Sequence, residues 1–290
     1  MDLPIILSKR GGGVIPREIR IGHSPDPDDA FLFYALTHGK VPLPGFQITH
    51  RLEGIEQLNE RALNGELEMT AISLHAYPYC AQRYLLMTTG ASVGEGYGPI
   101  VVAKGALRPE ELRAGPIAVP GRLTTAALLL QLAVGPVTTQ AIPFDEILPA
   151  VKEGRVPAGV LIHEGQLTYP EWGLTKVLDL GEWWARATRL PVPLGVNVIR
   201  RDLGPQVIRQ LCAAFKESLD YAFAHRSEAL EYAKTFGRGL DLARTDRFVR
   251  MYVNRLSVDC RPEGAAAMQR LLDLAAENKL TPRRVPVEFV

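Results

Sequence analysis

Two short apolar stretches decide the fold of this chain: Ile100-Val101-Val102-Ala103 and Val196-Asn197-Val198-Ile199-Arg200. Both have the β-branched, mostly apolar composition of strands that are buried within a sheet. The segment that they bracket, residues 99–194, is longer than the roughly 50 residues at which independent domains begin. The two strands therefore predict two crossings between lobes: the chain leaves a first lobe at one strand and returns to it at the other.

Outward from these strands, short apolar runs alternate with segments of helical periodicity, a pattern that predicts an α/β protein with mostly parallel sheets flanked by helices. Ser227 is the expected N-cap of the helix that begins at residue 228. The predicted strands cover residues 19–22, 46–52, 69–73, 100–103, 117–119, 159–162 and 196–200, and the predicted helices cover 30–38, 55–63, 75–84, 124–133, 147–153, 206–224, 228–236, 245–256 and 262–278.

The domain plan follows from the two crossings. Residues 17–98 and 195–290 are expected to form a discontinuous first lobe, residues 99–194 a second lobe, and residues 1–16 a flexible N-terminal extension. Two lobes hinged by two crossover strands are the topology of the type II periplasmic-binding-protein-like fold, a clamp that closes around ligands. Ligands of open α/β sheets bind outside the carboxyl ends of strands, so the site is expected in the cleft.

Charge and composition exclude several classes of partner. The 33 Lys and Arg residues balance 32 Asp and Glu residues, for a formal net charge of +1, so neither nucleic acid nor an anionic membrane surface is an expected partner. No apolar run reaches the ~18 residues that span a bilayer, and the N-terminus lacks the layout of a secretory signal peptide. The three cysteines form no CxxC pair and no zinc spacing. We expect a cytoplasmic protein without a metal, either a monomer or a homodimer.

The first candidate for chemistry is His163-Glu164, which follows the apolar strand at residues 159–162. An imidazole with a pKa near ~6.5 can accept a proton near neutral pH, and the carboxyl end of a buried strand is where a sheet presents ligands. Glu164 either orients the imidazole or faces solvent. The alternative is a structural histidine with satisfied hydrogen bonds. The residues that follow do not complete an HExxH motif, which argues against zinc.

The second candidate is the strand, turn and helix start in Val119-Pro120-Gly121-Arg122-Leu123-Thr124-Thr125-Ala126. The first turn of a helix has N–H groups without intrahelical partners, and the helix dipole favours an anion there. The loop lacks the Lys and the additional Gly of a P-loop, so a carboxylate is favoured over a polyphosphate. The alternative is that Thr124 or Thr125 only caps the helix.

Two further strand ends carry polar residues. Ser24-Pro25-Asp26-Pro27-Asp28-Asp29 follows the first strand, and its carboxylates can bind Mg²⁺, polarise a hydroxyl group or only cap the next helix. Capping is the favoured role for Asp28, whereas Asp26 and Asp29 are candidates for either role. Ser73 ends its strand and can donate a hydrogen bond to an anion, although no G-x-S-x-G signature of a catalytic triad is present.

Four spaced motifs carry a resemblance. They are Ser24-Pro25-x-Pro27-x-Asp29-x-Phe31, Pro120-Gly121-Arg122-x-Thr124-Thr125-Ala126, Leu161-Ile162-His163-Glu164 with Thr168-Tyr169-Pro170 after it, and Asp179-Leu180-Gly181-x-Trp183-Trp184 before Leu190-Pro191-x-Pro193-Leu194-Gly195. Together they resemble the 1,4-dihydroxy-6-naphthoate synthase family of the futalosine route to menaquinone. The resemblance runs from Ile19 to Ala276, which is nearly the whole chain.

The resemblance implies the two-lobe binding-protein fold and a cytoplasmic carbon–carbon lyase that uses no metal or organic cofactor. It implies that the substrate is a small carboxylate, cyclic dehypoxanthinylfutalosine, and the product 1,4-dihydroxy-6-naphthoate. By these motif matches, the resemblance implies that His163 is the general base that starts the bond cleavage. It also implies that Thr125 and Ala126 hold the substrate carboxylate. The full predicted substrate-binding set is Ser24, Asp26, Asp29, Ala71, Ile72, Ser73, Thr124, Thr125, Ala126 and Glu164.

Three positions depart from the family pattern. Asp26 and Asp28 stand where Cys and Asn are common, and Ala71 stands where a Lys commonly precedes the substrate serine. The missing cation weakens binding of an acidic substrate by roughly 1–3 kcal/mol if the contact is buried. Two alternatives therefore stay open: a binding protein that clamps a small carboxylate, and a related enzyme of the pathway such as a chorismate dehydratase. A transcriptional co-inducer domain would need a helix-turn-helix and a basic surface, and neither is visible.

Overall fold

The computed structural model describes residues 16–290. The predicted N-terminal extension, apart from residue 16, lies outside the described residues. A first sheet has the strand order β2-β1-β3-β11-β4, and β5 also pairs with β11. Its strands are β1 (Arg17–His23), β2 (Phe46–Leu52), β3 (Met69–Ser73), β4 (Tyr84–Leu86), β5 (Ser92–Gly94) and β11 (Val192–Arg200).

A second sheet is formed by the strands between β5 and β11. They are β6 (Ile100–Ala103), β7 (Ile117–Val119), β8 (Thr139–Ala141), β9 (Ala158–Leu161) and β10 (Thr175–Asp179), in the order β10-β6-β9-β7-β8. The chain thus passes from the first sheet to the second at β6 and returns at β11. The exact limits of the predicted lobes, at 98/99 and 194/195, stay a prediction.

Helices flank both sheets, so the predicted α/β class is confirmed. Among residues 16–290, none of these helices combines the length and the apolar character that crossing a bilayer requires. The helices are α1 (Pro27–Thr37), α2 (Ile55–Asn64), α3 (Tyr77–Cys80), α4 (Thr125–Val134), α5 (Ile147–Glu153), α6 (Gly165–Thr168), α7 (Leu180–Thr188), α8 (Pro205–Ala224), α9 (Arg226–Lys234), α10 (Leu242–Tyr252), α11 (Arg255–Val258) and α12 (Glu263–Glu277).

The prediction of mostly parallel sheets is wrong. β1 pairs in parallel with β2 and β3, and β7 pairs in parallel with β8 and β9. The strands at the crossings run in the opposite direction: β11 is antiparallel to β3, β4 and β5, and β6 is antiparallel to β9 and β10. Each sheet is mixed because the strand that enters it from the other sheet runs against its neighbours.

Four local predictions also need correction. The helix expected at 75–84 is one 3₁₀ turn (Leu74–Ala76) and the short α3, because the chain from Tyr84 onward pairs with β11 instead. Ser227 is not an N-cap, since α9 begins at Arg226 after His225. The helix expected at 245–256 is divided into α10 and α11, because Asn254 caps the start of α11. The short strands β4, β5, β8 and β10 were not predicted.

One apolar core continues from the first sheet into the second. Ile72 and Val196 of the first sheet belong to the same buried cluster as Val101 and Ile117 of the second. The helix α4 supplies Leu128, Leu129 and Leu130 to this cluster. Burial of each such side chain contributes about 1.5–3 kcal/mol, so the core holds the two sheets together directly behind the cleft.

Two histidines are buried between the first sheet and α1. His23 at the end of β1 stacks on the Phe33 ring at 4.4 Å and lies edge-on to His50 of β2 at 5.3 Å. His23 Nε2 and both ring nitrogens of His50 are buried without a hydrogen-bond partner among the described residues. Burial lowers the pKa of His23 to about 4 and the pKa of His50 to about 3. Both rings are therefore neutral in the folded protein at neutral pH.

These shifted pKa values predict acid sensitivity. Between about pH 6.5 and pH 4 these histidines bind protons in the unfolded chain, whereas their buried rings stay neutral in the folded protein. The free energy of unfolding therefore falls as the pH drops. His50→Leu should raise the free energy of unfolding at pH 5 by about 1–2 kcal/mol relative to the parent protein. Urea unfolding at pH 5 and pH 7 measures the difference.

The matched control is His225→Leu, since His225 is exposed and its loss should leave the pH slope unchanged. Asp29, whose pKa is raised to about 6 by burial, contributes a slope of the opposite sign, which is common to the parent and both variants. An unchanged slope in the His50→Leu variant would contradict the assignment of a buried neutral ring.

Candidate active site

A cavity opens where strand ends of the first sheet meet strand and helix ends of the second. The loop after β1, the end of β3 and the middle of β11 form one wall, and the start of α4 with the residues after β9 forms the other. Every predicted site residue except Glu164 lines it: Ser24, Asp26, Asp29, Ala71, Ile72, Ser73, Thr124, Thr125, Ala126 and His163. Asp28, which was favoured as a capping residue, also lines it.

His163 occupies the carboxyl end of β9, as the sequence predicts. Its side chain is only 13% exposed, and Nδ1 lies 3.3 Å from Oδ2 of Asp26, whose side chain is 3% exposed. The Phe144 ring meets the imidazole edge-on, with ring centroids 4.2 Å apart. His163 Nε2 is buried and has no hydrogen-bond partner among the described residues. One ring nitrogen thus lies near a carboxylate, and the other is buried without a hydrogen-bond partner.

Asp26 does not act as a helix cap. It occupies the N-cap position of α1, yet its side chain makes no capping hydrogen bond. The carboxylate instead turns toward the segment after β9, where Oδ2 faces His163. Its other oxygen, Oδ1, accepts a hydrogen bond of 2.9 Å from Nη1 of Arg238, which lies in the loop between α9 and α10. The contact between Oδ2 and His163 Nδ1 is an ion-pair distance and not a hydrogen bond in this structure.

Glu164 lies apart from the other predicted residues. It lines a neighbouring cavity, which shares Ile162 and His163 with the first one. Its Oε2 accepts a hydrogen bond of 3.1 Å from Nη1 of Arg238. The carboxylate that faces the imidazole is therefore Asp26 and not Glu164.

The start of α4 combines capping with an open first turn. Thr124 is the N-cap: its hydroxyl accepts a hydrogen bond from the Ala127 N–H and donates one of 2.8 Å to the Gly121 carbonyl. The Thr125 hydroxyl donates to the Leu194 carbonyl at 2.6 Å, which ties α4 to β11. Capping thus occupies the Thr124 side chain, while Thr125 and Ala126, whose N–H groups have no intrahelical acceptor, line the cavity.

Ser73 is held by an asparagine that the sequence did not single out. The Ser73 N–H donates to Oδ1 of the fully buried Asn59 at 2.8 Å, and Asn59 Nδ2 donates to the Ser73 hydroxyl at 3.3 Å. The Ser73 hydroxyl keeps its own proton for a ligand. The neighbouring Ala71 packs on Leu58, so the wall carries no cation at that point.

The acidic run after β1 is unusual in its protonation. The Ser24 N–H donates to Oδ2 of Asp29 at 2.7 Å. Burial raises the pKa of Asp29 to about 6, and burial together with the charges of Asp29 and Asp26 raises the pKa of Asp28 well above its usual range. A protonated Asp28 can donate a hydrogen bond and adds no negative charge to the cavity. Within residues 16–290, no group of three or more His, Cys, Asp or Glu side chains is placed to hold a metal ion.

Sequence reasoning missed three residues that contact the predicted site residues: Asn59 beside Ser73, Phe144 beside His163 and Arg238 beside Asp26. Asn59 lies on a buried helix face, Phe144 follows β8, and Arg238 lies in the loop between α9 and α10. None belongs to a local motif. The only sequence signal was the Gly-Arg-Gly run at 237–239, which predicts a turn but no partner for the arginine.

Comparisons with known proteins agree on one family. The model of the menaquinone biosynthesis family matches residues 19–277. A Thermus thermophilus protein named 1,4-dihydroxy-6-naphthoate synthase is 44% identical over 254 residues, which is 87% of this chain and 92% of that protein. A Streptomyces coelicolor protein of the same name is 36% identical over 277 residues, 92% of this chain and 96% of that protein.

Solved structures agree on the fold. The protein AF1704 of Archaeoglobus fulgidus superposes with a TM-score of 0.87 at 48% identity, over 91% of this chain and 98% of that one. The alkanesulfonate-binding protein of Xanthomonas axonopodis superposes with a TM-score of 0.70 at 17% identity, over 95% of this chain and 98% of that one. The second likeness confirms the periplasmic-binding-protein fold. By sequence, the family match and the close relatives together mean that this chain belongs to the menaquinone biosynthesis family.

Proposed function

We propose that this protein is a 1,4-dihydroxy-6-naphthoate synthase, a cofactor-free carbon–carbon lyase that cleaves cyclic dehypoxanthinylfutalosine with His163 as general base. Family membership and the names of the two relatives support the reaction. The observation that carries the role of His163 is its place in the wall of the cavity, with Nδ1 3.3 Å from Oδ2 of Asp26 and Nε2 without a hydrogen-bond partner among the described residues. A general base needs such a free acceptor within reach of the substrate.

Asp26 favours the tautomer in which Nδ1 carries the proton, which leaves the Nε2 lone pair for the substrate. In the proposed step, Nε2 accepts the proton of a substrate hydroxyl group. The oxygen then forms a carbonyl as the adjacent carbon–carbon bond breaks, and the electron pair of that bond passes to the ring portion of the substrate. The negative charge of Asp26 stabilises the imidazolium that forms.

The substrate carboxylate is proposed to bind at the start of α4, in the same wall of the cavity as His163. The N–H groups of Thr125 and Ala126 and the dipole of α4 favour an anion, and the Ser73 hydroxyl can donate a further hydrogen bond. Protonation of Asp28 limits the repulsion from the acidic run. Neutral donors can therefore bind an acidic molecule without the cation that the family commonly places at position 71.

The remaining expectations belong to the same proposal. The enzyme works in the cytoplasm as a monomer or homodimer, with a small carboxylate as its ligand and without nucleic acid or membrane partners. Residues 17–98 with 195–290 and residues 99–194 act as two lobes that close on the substrate. The Glu164 carboxylate contributes through Arg238 instead of touching the ligand.

Replacement of the proposed base gives a direct test. His163→Asn should lower kcat by at least about 10²–10⁴-fold, because the amide cannot accept a proton from the substrate. Absorbance and mass spectrometry would follow the conversion of cyclic dehypoxanthinylfutalosine to 1,4-dihydroxy-6-naphthoate. His225→Asn, at an exposed site, is the control and should keep full activity.

Normal turnover by the His163→Asn variant would contradict the role of His163. A different outcome separates the alternatives: if the parent protein binds the substrate and returns it unchanged, it is a binding protein and the proposed activity is wrong. Conversion of chorismate in place of the naphthoate precursor would support the dehydratase alternative.

The acidic run predicts a pH dependence of substrate binding. As the pH rises through the raised pKa values of Asp29 and Asp28, both carboxyls ionise and repel the substrate carboxylate, so KM should increase. Asp28→Asn keeps a hydrogen-bond donor but cannot ionise, and should reduce the rise in KM by about tenfold, which is the effect of about 1.4 kcal/mol of repulsion. Steady-state kinetics between pH 5 and 9 measure it.

Asp202→Asn is the control, since Asp202 pairs with Arg200 outside the cavity. That variant should follow the parent profile. A KM that rises equally steeply in the Asp28→Asn variant would show that Asp28 carries no charge that the substrate senses, contrary to the prediction.

A further inference from the structure

We propose that Arg238 is a positioning residue, which holds the Asp26–His163 pair in its reactive geometry and joins the two walls of the cleft around it. The inference rests on the proposed role of His163 as base and extends it to a residue outside the substrate cavity. Arg238 lines the neighbouring cavity and does not line the one that contains the predicted substrate-binding residues.

Arg238 contacts each group that touches the imidazole. Its Nη1 donates to Asp26 Oδ1 at 2.9 Å, which leaves Oδ2 for His163 Nδ1. Its guanidinium lies over the Phe144 ring, 4.5 Å from the centroid, and Phe144 meets His163 edge-on. Removal of Arg238 would therefore free both the carboxylate that orients Nδ1 and the ring that limits rotation of the imidazole.

The same guanidinium joins residues from the two sheets. Nη2 donates to the Pro25 carbonyl at 3.1 Å, in the loop after β1, and Nη1 donates to Glu164 Oε2 at 3.1 Å, in the segment after β9. Asp26 and His163 meet across the same gap. A residue that binds both sides therefore holds together the base and its carboxylate, which come from different sheets.

Arg238 is also the positive charge in an acidic environment. Asp26 and Glu164 accept its hydrogen bonds, Asp145 acts on it electrostatically, and Asp28 and Asp29 follow Asp26 in the chain. A planar guanidinium suits this position because it can donate to two carboxylates and a carbonyl while it stacks on a ring. Its backbone lies in the left-handed region with φ of 47°, which is uncommon for a residue other than glycine and persists where surrounding contacts require it.

Kinetics of Arg238→Met test the proposal in the full-length protein. Methionine keeps contact with Phe144 but loses both ion pairs, so kcat should fall by about 10- to 100-fold through misplacement of the base, while KM stays within about threefold because the residue does not touch the substrate. Arg238→Lys retains the charge and should lie between Met and the parent. Arg244→Met is the matched control: Arg244 lines the same neighbouring cavity but pairs with Glu171, and kcat should not change.

Two further measurements distinguish positioning from folding. Added guanidinium ion should restore part of the activity of Arg238→Ala, and Arg238→Met should cause no further loss when combined with His163→Asn, because the two residues act through one imidazole. The proposal would be overturned if added guanidinium ion restored no activity. It would also be overturned if Arg238→Met lowered kcat in the His163→Asn background by the same factor as in the parent protein.

A readout that needs no turnover separates this inference from the proposed function. In ¹⁵N-histidine NMR of the free protein, the His163 signal is the one that His163→Asn removes. The parent should contain mainly the tautomer protonated at Nδ1, and Arg238→Met should contain a mixture of both tautomers. An unchanged tautomer in Arg238→Met would overturn the positioning role. If the parent fails to convert the substrate but the tautomer shifts as expected, the proposed function fails and the role of Arg238 stands.

Discussion

The contact between the Asp26 carboxylate and the His163 imidazole, at 3.3 Å, is the interaction on which the account depends. Asp26 follows β1 of the first sheet and His163 follows β9 of the second, so the pair exists only where the two sheets approach each other. The apolar cluster behind the cleft and the crossings at β6 and β11 determine that approach. Fold and site geometry are thus coupled, because the two members of the pair come from different sheets.

The electrostatics of the cleft follow from this arrangement. A carboxylate that orients a histidine is costly in a buried site unless a cation or hydrogen bonds compensate it. Here Arg238 supplies the cation, while burial raises the pKa of Asp28 and of Asp29 and reduces the negative charge around the substrate. The proposed anion site at the start of α4 relies on backbone N–H groups instead of a charged side chain. Near-neutral net charge of the chain is consistent with a site built in this way.

Much of the site could be predicted because its residues lie at the ends of regular elements. His163 follows an apolar strand, Thr125 begins an apolar helix, and Ser73 ends a buried strand, so periodicity alone places them at the cleft. The partner of His163 could not be predicted from sequence adjacency. Glu164 follows His163 directly, but its carboxylate accepts a hydrogen bond from Arg238 instead of facing the imidazole. Arg238 itself lies in a polar loop far along the chain, and only tertiary contacts reveal its role. The short strands, β4 among them, and the antiparallel direction of β11 were missed for the same reason, since pairing with distant segments creates them.

The most direct test of the central claim is a crystal structure of the His163→Asn variant with cyclic dehypoxanthinylfutalosine bound. We predict intact substrate in the cleft, with its carboxylate at the N–H groups of Thr125 and Ala126. A hydroxyl oxygen of the substrate should lie within about 3.2 Å of the side chain at position 163. Asp26 and Arg238 should keep their contact. Substrate bound with its carboxylate toward Asp26, or with no hydroxyl group near position 163, would contradict the account.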